Sequence, residues 1–190
     1  MRVEAATARA VVLVEGVSDQ LAVETLARRR ERDLSAEGVT VVPIGGSKNI
    51  VSFLLRFGPQ GLGARLAGLC DDAEERDFSR GLERAGVASN LDRPGMERLG
   101  FYVCVEDLED ELIRALGPAA VEGVLSDLGD LAPFRTFQKQ PEWQGRPVGS
   151  QLRRFLAAGS GRKARATPRL VEALDLDNVP RPLDGVLRHV

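Results

Sequence analysis

Histidine is almost absent from this 190-residue chain, and the other reactive or ring-bearing residues are scarce: one His, two Cys, one Trp and one Tyr. The lone His189, beside the C-terminus, excludes a histidine-based metal site within one chain. Cys70 and Cys104 sit inside the apolar runs "LAGLC" and "FYVCV", so they read as buried free thiols and not as a disulfide or a ligand pair. Excess positive charge is also missing. A formal net charge of −2 excludes a polycation drawn to nucleic acid by its bulk field. Such a partner has to be gripped by local arginine clusters or through metal. No apolar run approaches the roughly 20 residues of a membrane helix, and the first residues lack the h-region of a secretory signal. No membrane partner and a cytoplasmic location are therefore expected. Aromatic residues make up only 5%, which leaves aliphatic side chains to build the core.

What is present is an alternation of patterns. "AVVLVEG" (10–16) is a short, continuous, Val-rich run, as in a strand buried on both faces of a parallel sheet. "GVTVVPIGG" (38–46), "ARLAGLCD" (64–71) and "GFYVCV" (100–105) repeat it. Helical periods lie between them. Ser18 reads as the N-cap of a helix reaching Arg30, "NIVSFLLRFG" (49–58) is stopped by Gly58 and Pro59, and a polar helix runs from about Glu74 to Ala85. Gly117 and Pro118 split two further helices, 106–116 and 118–128. This spacing predicts an α/β fold of βαβ units, with a parallel sheet of about four strands flanked by helices. "PVGSQLRRFLAAG" and "PRLVEALDLD" predict helices in the remainder. The expected division is one domain over 1–128 and a helical C-terminal extension, 129–190, packed on it.

Three of the four expected strands end at acids: Glu15, then Asp71 with Asp72, then Glu106 with Asp107. In parallel α/β sheets functional groups gather beyond the carboxyl ends of the strands. Asp19, in the first turn of the helix after Glu15, can face the same crevice. Carboxylates gathered in this way repel one another strongly at low dielectric unless a cation neutralises them. Oxygen-only ligands suit magnesium or manganese. The plainer reading makes each acid a helix cap or a first-turn charge that complements the helix dipole. Three acidic clusters at three strand ends favour the metal.

These residues resemble the Toprim domains found in primases, topoisomerases and small nucleases, and in particular those of the OLD-family nucleases. "LVEGVSDQ" (13–20) looks like the Toprim glutamate motif, and "VVPIGGSKNIVSFL" (41–54) is similar to the OLD-family segment in which a Gly-rich turn leads into a helix. "LAGLCDDAEE" (66–75) falls where the aspartate motif belongs, and "VEDLEDELIRAL" (105–116) resembles the segment that supplies later metal ligands. The resemblance implies a Toprim-like Rossmannoid fold that holds Mg2+ or Mn2+ and hydrolyses nucleic-acid phosphodiesters, DNA being the favoured substrate. It casts Glu15 as general acid/base or metal ligand, joined by Asp19. Asp71 becomes a direct ligand, and Asp107 with Glu109 the later ligand pair. Lys163, in the basic tail "GSGRKARATPRLVEAL", would stabilise the scissile phosphate. Two departures stand out. The Toprim aspartate motif is Asp-x-Asp, whereas this sequence reads Asp71-Asp72-Ala73, so Asp72, Glu74 or Glu75 has to lean in or the site holds one metal. OLD nucleases also carry an ATPase ahead of the Toprim domain, and no such region is present, so a stand-alone domain with an ATPase partner in trans is expected.

Two basic clusters remain. Arg28, Arg29, Arg30 and Arg32 close the first helix, where cations complement the dipole. Arg153, Arg154, Arg162, Lys163 and Arg165 are the candidates for nucleic-acid contact, with the Gly159–Gly161 turn between them. Phe134, Phe137 and Trp143 read as tail packing in preference to base stacking. "GSGRK" lacks the preceding strand and the spacing of a phosphate loop. Three functions follow: a metal-dependent endonuclease; a Toprim module that binds nucleic acid or nucleotide without cutting it, beside a separate ATPase; and a response-regulator-like signalling domain. The last is disfavoured because Glu15 stands alone at the first strand. A homodimer is compatible with the sequence.

Overall fold

The computed structural model describes residues 8–159 and 161–190; Ser160, in the Gly159–Gly161 turn, lies outside them. Four strands, β1 (Ala10–Val14), β2 (Val39–Pro43), β3 (Arg65–Cys70) and β4 (Phe101–Val103), form one sheet in the order β2-β1-β3-β4, all parallel. β1 lies at its centre and is buried throughout. That is why its sequence is continuously apolar instead of alternating. β4 is shorter than the expected 100–105 because the Val105 N–H turns away to the Glu111 carboxylate at 2.8 Å.

Successive β1 residues serve opposite faces, as the pleat requires. Val11 and Leu13 pack under α2 (Ile50–Phe57), α3 (Glu75–Arg84) and α4 (Arg93–Arg98). Val12 and Val14 pack under α1 (Val17–Arg29), α5 (Leu108–Leu116), α6 (Pro118–Asp127), α7 (Leu131–Gln138), α8 (Val148–Ala157), α9 (Arg162–Ala173) and α10 (Arg181–His189). This second cluster runs without a break from β1 to α10, so Phe134, Leu152, Leu170 and Val186 bury against the same core as Val12.

Several elements differ from expectation for identifiable reasons. Gly16 and not Ser18 caps α1, and the Asp19 carboxylate at the third helical position accepts the Gly16 N–H at 2.9 Å, half of a capping box. α4 has no apolar period to betray it, but Asp92 accepts the Gly95 N–H at 2.8 Å and Pro94 sits in its first turn. α9 starts at Arg162 and carries Pro168 inside it, where only the bond to the Ala164 carbonyl is lost. α7 and α10 were not separately expected.

The arginines that end α1 do more than complement a dipole. Arg29 donates to the Val171 and Leu174 carbonyls at 2.8 and 2.7 Å, and so caps the C-terminal end of α9. Arg32 does the same for α10 through the Leu187 and Val190 carbonyls, and Arg30 pairs with Asp184 at 2.5 Å. Phe137 packs at a tilt against Trp143 with ring centroids 5.1 Å apart, and Phe134 against Phe155 at 5.2 Å, so these rings pack the tail. Cys70 and Cys104 are buried and free. No described helix is long and apolar enough to cross a membrane.

Candidate metal centre

From β1 the chain winds outward through α1 to β2, then returns through α2 to β3 on the other side of β1. That reversal opens a crevice beyond the carboxyl ends of β1 and β3. Glu15 follows β1 and Asp71 follows β3, and the register pairing Val14 with Leu69 brings them to one mouth. Carboxylate oxygens of Glu15, Asp71 and Glu74 all lie within 4.8 Å of one another.

Glu74 arrives by backbone geometry. Residues 72–74 form one turn of 3-10 helix directly after Asp71. With three residues per turn, side chains at i and i+3 eclipse, so Glu74 returns above Asp71 while exposed Ala73 points elsewhere. The Asp missing at 73 is thus matched by a Glu one position later, whose extra methylene lengthens its reach. Asp72 and Glu75, the other residues that might have leaned in, are both taken by the Arg93 guanidinium, Asp72 at 2.5 Å.

The cleft has a volume of about 350 Å3 and is lined by Glu15, Gly16, Ser18 and Asp19, by Gly45 and Gly46 after β2, and by Asp71 and Lys163. Gly45 and Gly46 adopt φ of +70° and +112°, and an added Cβ at Gly46 would meet nothing, so this wall stays low and open. A larger groove of about 710 Å3 between α1 and β2 contains none of the acidic cluster.

Burial and mutual repulsion mark the electrostatics. Burial, with Asp19 and Glu15 beside it, raises the Asp71 carboxyl to about 8. Burial raises Asp19 to about 7 against the opposing pull of the Gly16 N–H. Glu15 is raised by burial and then by Glu74, with Lys163 pulling the other way. Glu109 is 1% exposed and raised by burial, with Lys163 opposing. Lys163 Nζ lies 2.7 Å from Glu109 Oε2. Burial works against the Lys163 charge, but Glu109, Asp19 and Asp107 hold its proton on more tightly than usual.

The structure therefore gathers Glu15, Asp19, Asp71, Glu109 and Lys163 at one mouth, Lys163 from a helix far along the chain. Asp107 is differently occupied: one oxygen caps α5 through the Asp110 N–H at 2.8 Å, and the other takes Arg153 Nε at 2.6 Å. The basic candidates are mostly engaged internally. Arg153 also meets Glu106 at 2.7 Å. Arg162 lies over the Phe155 ring and donates to the Phe155 carbonyl at 2.7 Å, and Arg165 pairs with Asp130. Arg154 is exposed. Glu74, offered by the sequence only as one of three alternatives, joins the cluster.

The donor set fits a hard divalent cation. It is all oxygen, its carboxylates repel one another, and Glu74 Oε2 and Glu109 Oε1 are buried with no hydrogen-bond partner.

Residues 7–72 match a family model described as the TOPRIM domain of overcoming-lysogenization-defect-protein-like (OLD-like) proteins. The fold matches the solved C-terminal region of the OLD protein of Xanthomonas campestris pv. campestris with a TM-score of 0.76 and 25% identity, over 98% of this chain and 94% of that one. It also matches the C-terminal region of the Burkholderia pseudomallei OLD protein with a TM-score of 0.74 and 19% identity, over 96% of each chain. No curated protein sequence matches significantly. The resemblance to an OLD-type Toprim domain is borne out, and so is the four-stranded parallel α/β fold.

Proposed function

We propose, with the OLD-like TOPRIM domain as the premise, that the cleft carries out metal-dependent hydrolysis of nucleic-acid phosphodiesters, with magnesium or manganese as the ion and DNA as the favoured substrate. The observation that carries this reading is the convergence of Glu15, Asp71 and Glu74 within 4.8 Å at the switch point of the sheet. These three would hold the ion, with Asp19 and Glu109 behind them. A bound divalent cation supplies Lewis-acid polarisation of a phosphoryl oxygen and lowers the pKa of a water.

The protein's own groups do the rest. Glu15 ends a buried strand, so its position is set by the sheet, and burial raises its carboxyl above the ordinary range, which favours a role in proton transfer. Lys163 lines the cleft as a held cation and offsets charge that develops on the phosphate. The low glycine wall at 45–46 admits a backbone. Arg154, exposed on α8, would meet a flanking phosphate.

A second reading is a module that binds nucleic acid or nucleotide without cutting it, beside an ATPase in trans. Ala73 at the second motif position and the full engagement of Asp107 favour it. Nicking of supercoiled DNA in manganese separates the two. Wild type is expected to nick slowly, and Glu15→Gln to stop it while leaving the fold intact. If wild type and Ala73→Asp both bind DNA and RNA but cut neither, the hydrolytic reading is wrong and the binding module stands.

A further inference from the structure

Arginines that stand out from the surface of this protein mostly carry a carboxylate. Arg114, Arg135, Arg169, Arg181 and Arg188 are well exposed, and each still meets an acid. α3 departs from this habit. Arg76, Arg80 and Arg84 are exposed and recur every four residues, so they form one outer stripe, while Phe78 and Leu82 of the same helix are buried. The acids of α3 are turned elsewhere. Glu75 meets Arg93, Asp77 accepts the Ser47 hydroxyl at 2.7 Å, and Glu83 accepts the Leu91 N–H at 3.4 Å. Among the described residues, no carboxylate pairs with any arginine of the stripe.

The helix itself gains nothing from this arrangement. Like charges four residues apart repel, and Arg76 stands in the first turn, where the dipole disfavours a cation. A polyanion lying along the stripe would remove both costs. The stripe also leads to the cleft. α3 begins directly after Glu74, and Arg84 lies about 12 Å along its axis from Arg76, at about 1.5 Å per residue. The Ser47–Asp77 bond joins the same helix to the segment that follows the glycine wall, where Lys48 is exposed. We propose that the nucleic acid is gripped along α3. A strand with its scissile phosphate in the cleft passes over Gly45 and Gly46 and lays its flanking phosphates on Lys48, Arg76, Arg80 and Arg84. In a chain of net charge −2 the stripe supplies the local grip that the bulk field does not. This inference rests on the nucleic-acid reading given above and adds the surface that the substrate covers.

The salt dependence of binding tests it without turnover. The 190-residue chain is titrated into a fluorescein-labelled single-stranded DNA in calcium, and anisotropy gives the affinity at several salt concentrations. Each phosphate contact on a single strand contributes about 0.7 to the slope of log K against log salt. Arg80→Ala/Arg84→Ala should therefore bind more weakly and flatten that slope by about 1.4, two contacts' worth. Arg169→Ala/Arg188→Ala removes the same charge from α9 and α10, on the other face of the sheet, and should keep the wild-type slope. Far-UV circular dichroism monitors folding. The single variants, each expected to flatten the slope by about 0.7, carry the comparison if the double variant does not fold. An unchanged slope in the folded α3 variants overturns the proposal and leaves the nucleic-acid reading standing. Equal flattening in the α9/α10 control overturns it too, because bulk charge then explains the effect. Wild type that binds neither DNA nor RNA overturns both the proposal and the reading beneath it.

Discussion

Asp71 keeps its proton to about pH 8, because it is buried and faces Asp19 and Glu15. Its ordinary value is 3.8, so the folded state binds this proton more tightly than the unfolded chain does. The resulting stability is complete below about pH 4 and is lost as pH rises through 8; Asp19, raised to about 7, adds to the same trend. Metal-free protein in chelator should therefore melt at progressively lower temperature from pH 5.5 to 8.5, and Asp71→Asn should flatten that slope. Millimolar manganese should reverse the loss at the alkaline end, since an ion competes with protons for the same oxygens. A metal-free melting temperature that rises across this window would contradict the burial argument. Glu15→Gln should remove most of the manganese-induced shift, because the amide keeps the side chain's shape and discards its charge. Lys163→Ala should leave ion binding in place and weaken nicking less than Glu15→Gln does, as one cation supplies only part of the charge stabilisation.

At the level of elements, the C-terminal helices are held as much by arginine forks as by apolar contact. Arg29 is the clearest case, since one guanidinium nitrogen meets both terminal carbonyls of α9. Arg29→Ala would strand those acceptors under the helix end, at a cost of about 1–3 kcal/mol. Urea unfolding should show that loss as a lower midpoint with unchanged far-UV signal. A midpoint within error of wild type would mean that water replaces the guanidinium freely. Close packing holds α10 independently: an added Cβ at Gly185 would sit 2.3 Å from Tyr102 Cε1. Gly185→Ala should accordingly cost about 1–3 kcal/mol by overpacking.

Across the whole molecule, the apolar cluster on the α1 side of the sheet takes side chains from β1 through α10. Residues 129–190 supply Phe134, Leu152, Leu156, Leu170 and Leu183 to it, and they also supply Lys163 to the cleft. A piece ending at residue 128 would expose that face. It is expected to melt without a cooperative transition and to bind a hydrophobic dye, even though it contains every strand. A sharp cooperative melt of residues 1–128 would establish the extension as a separable appendage.

Local patterning was enough to reveal the strands, most of the helices between them and the acids at their ends. A strand buried on both faces has to be continuously apolar, and the turn after it falls at one place, so "AVVLVEG" and "LAGLCDD" already locate Glu15 and Asp71 in the chain. α4 was missed because it is short and carries little apolar period, although Asp92 with Pro94 was a legible start signal; α7 and α10 were not singled out either, although Leu183, Val186 and Leu187 give α10 a helical period. What the sequence left undecided was which of Asp72, Glu74 and Glu75 would join Asp71. Eclipsing in one 3-10 turn and the position of Arg93 made that choice, and neither can be read from composition or spacing. The same holds for Asp107, which reads as one more strand-end acid until Arg153, 46 residues later, takes its second oxygen. A carboxylate's availability depends on which cation reaches it, and that is decided by how distant helices pack.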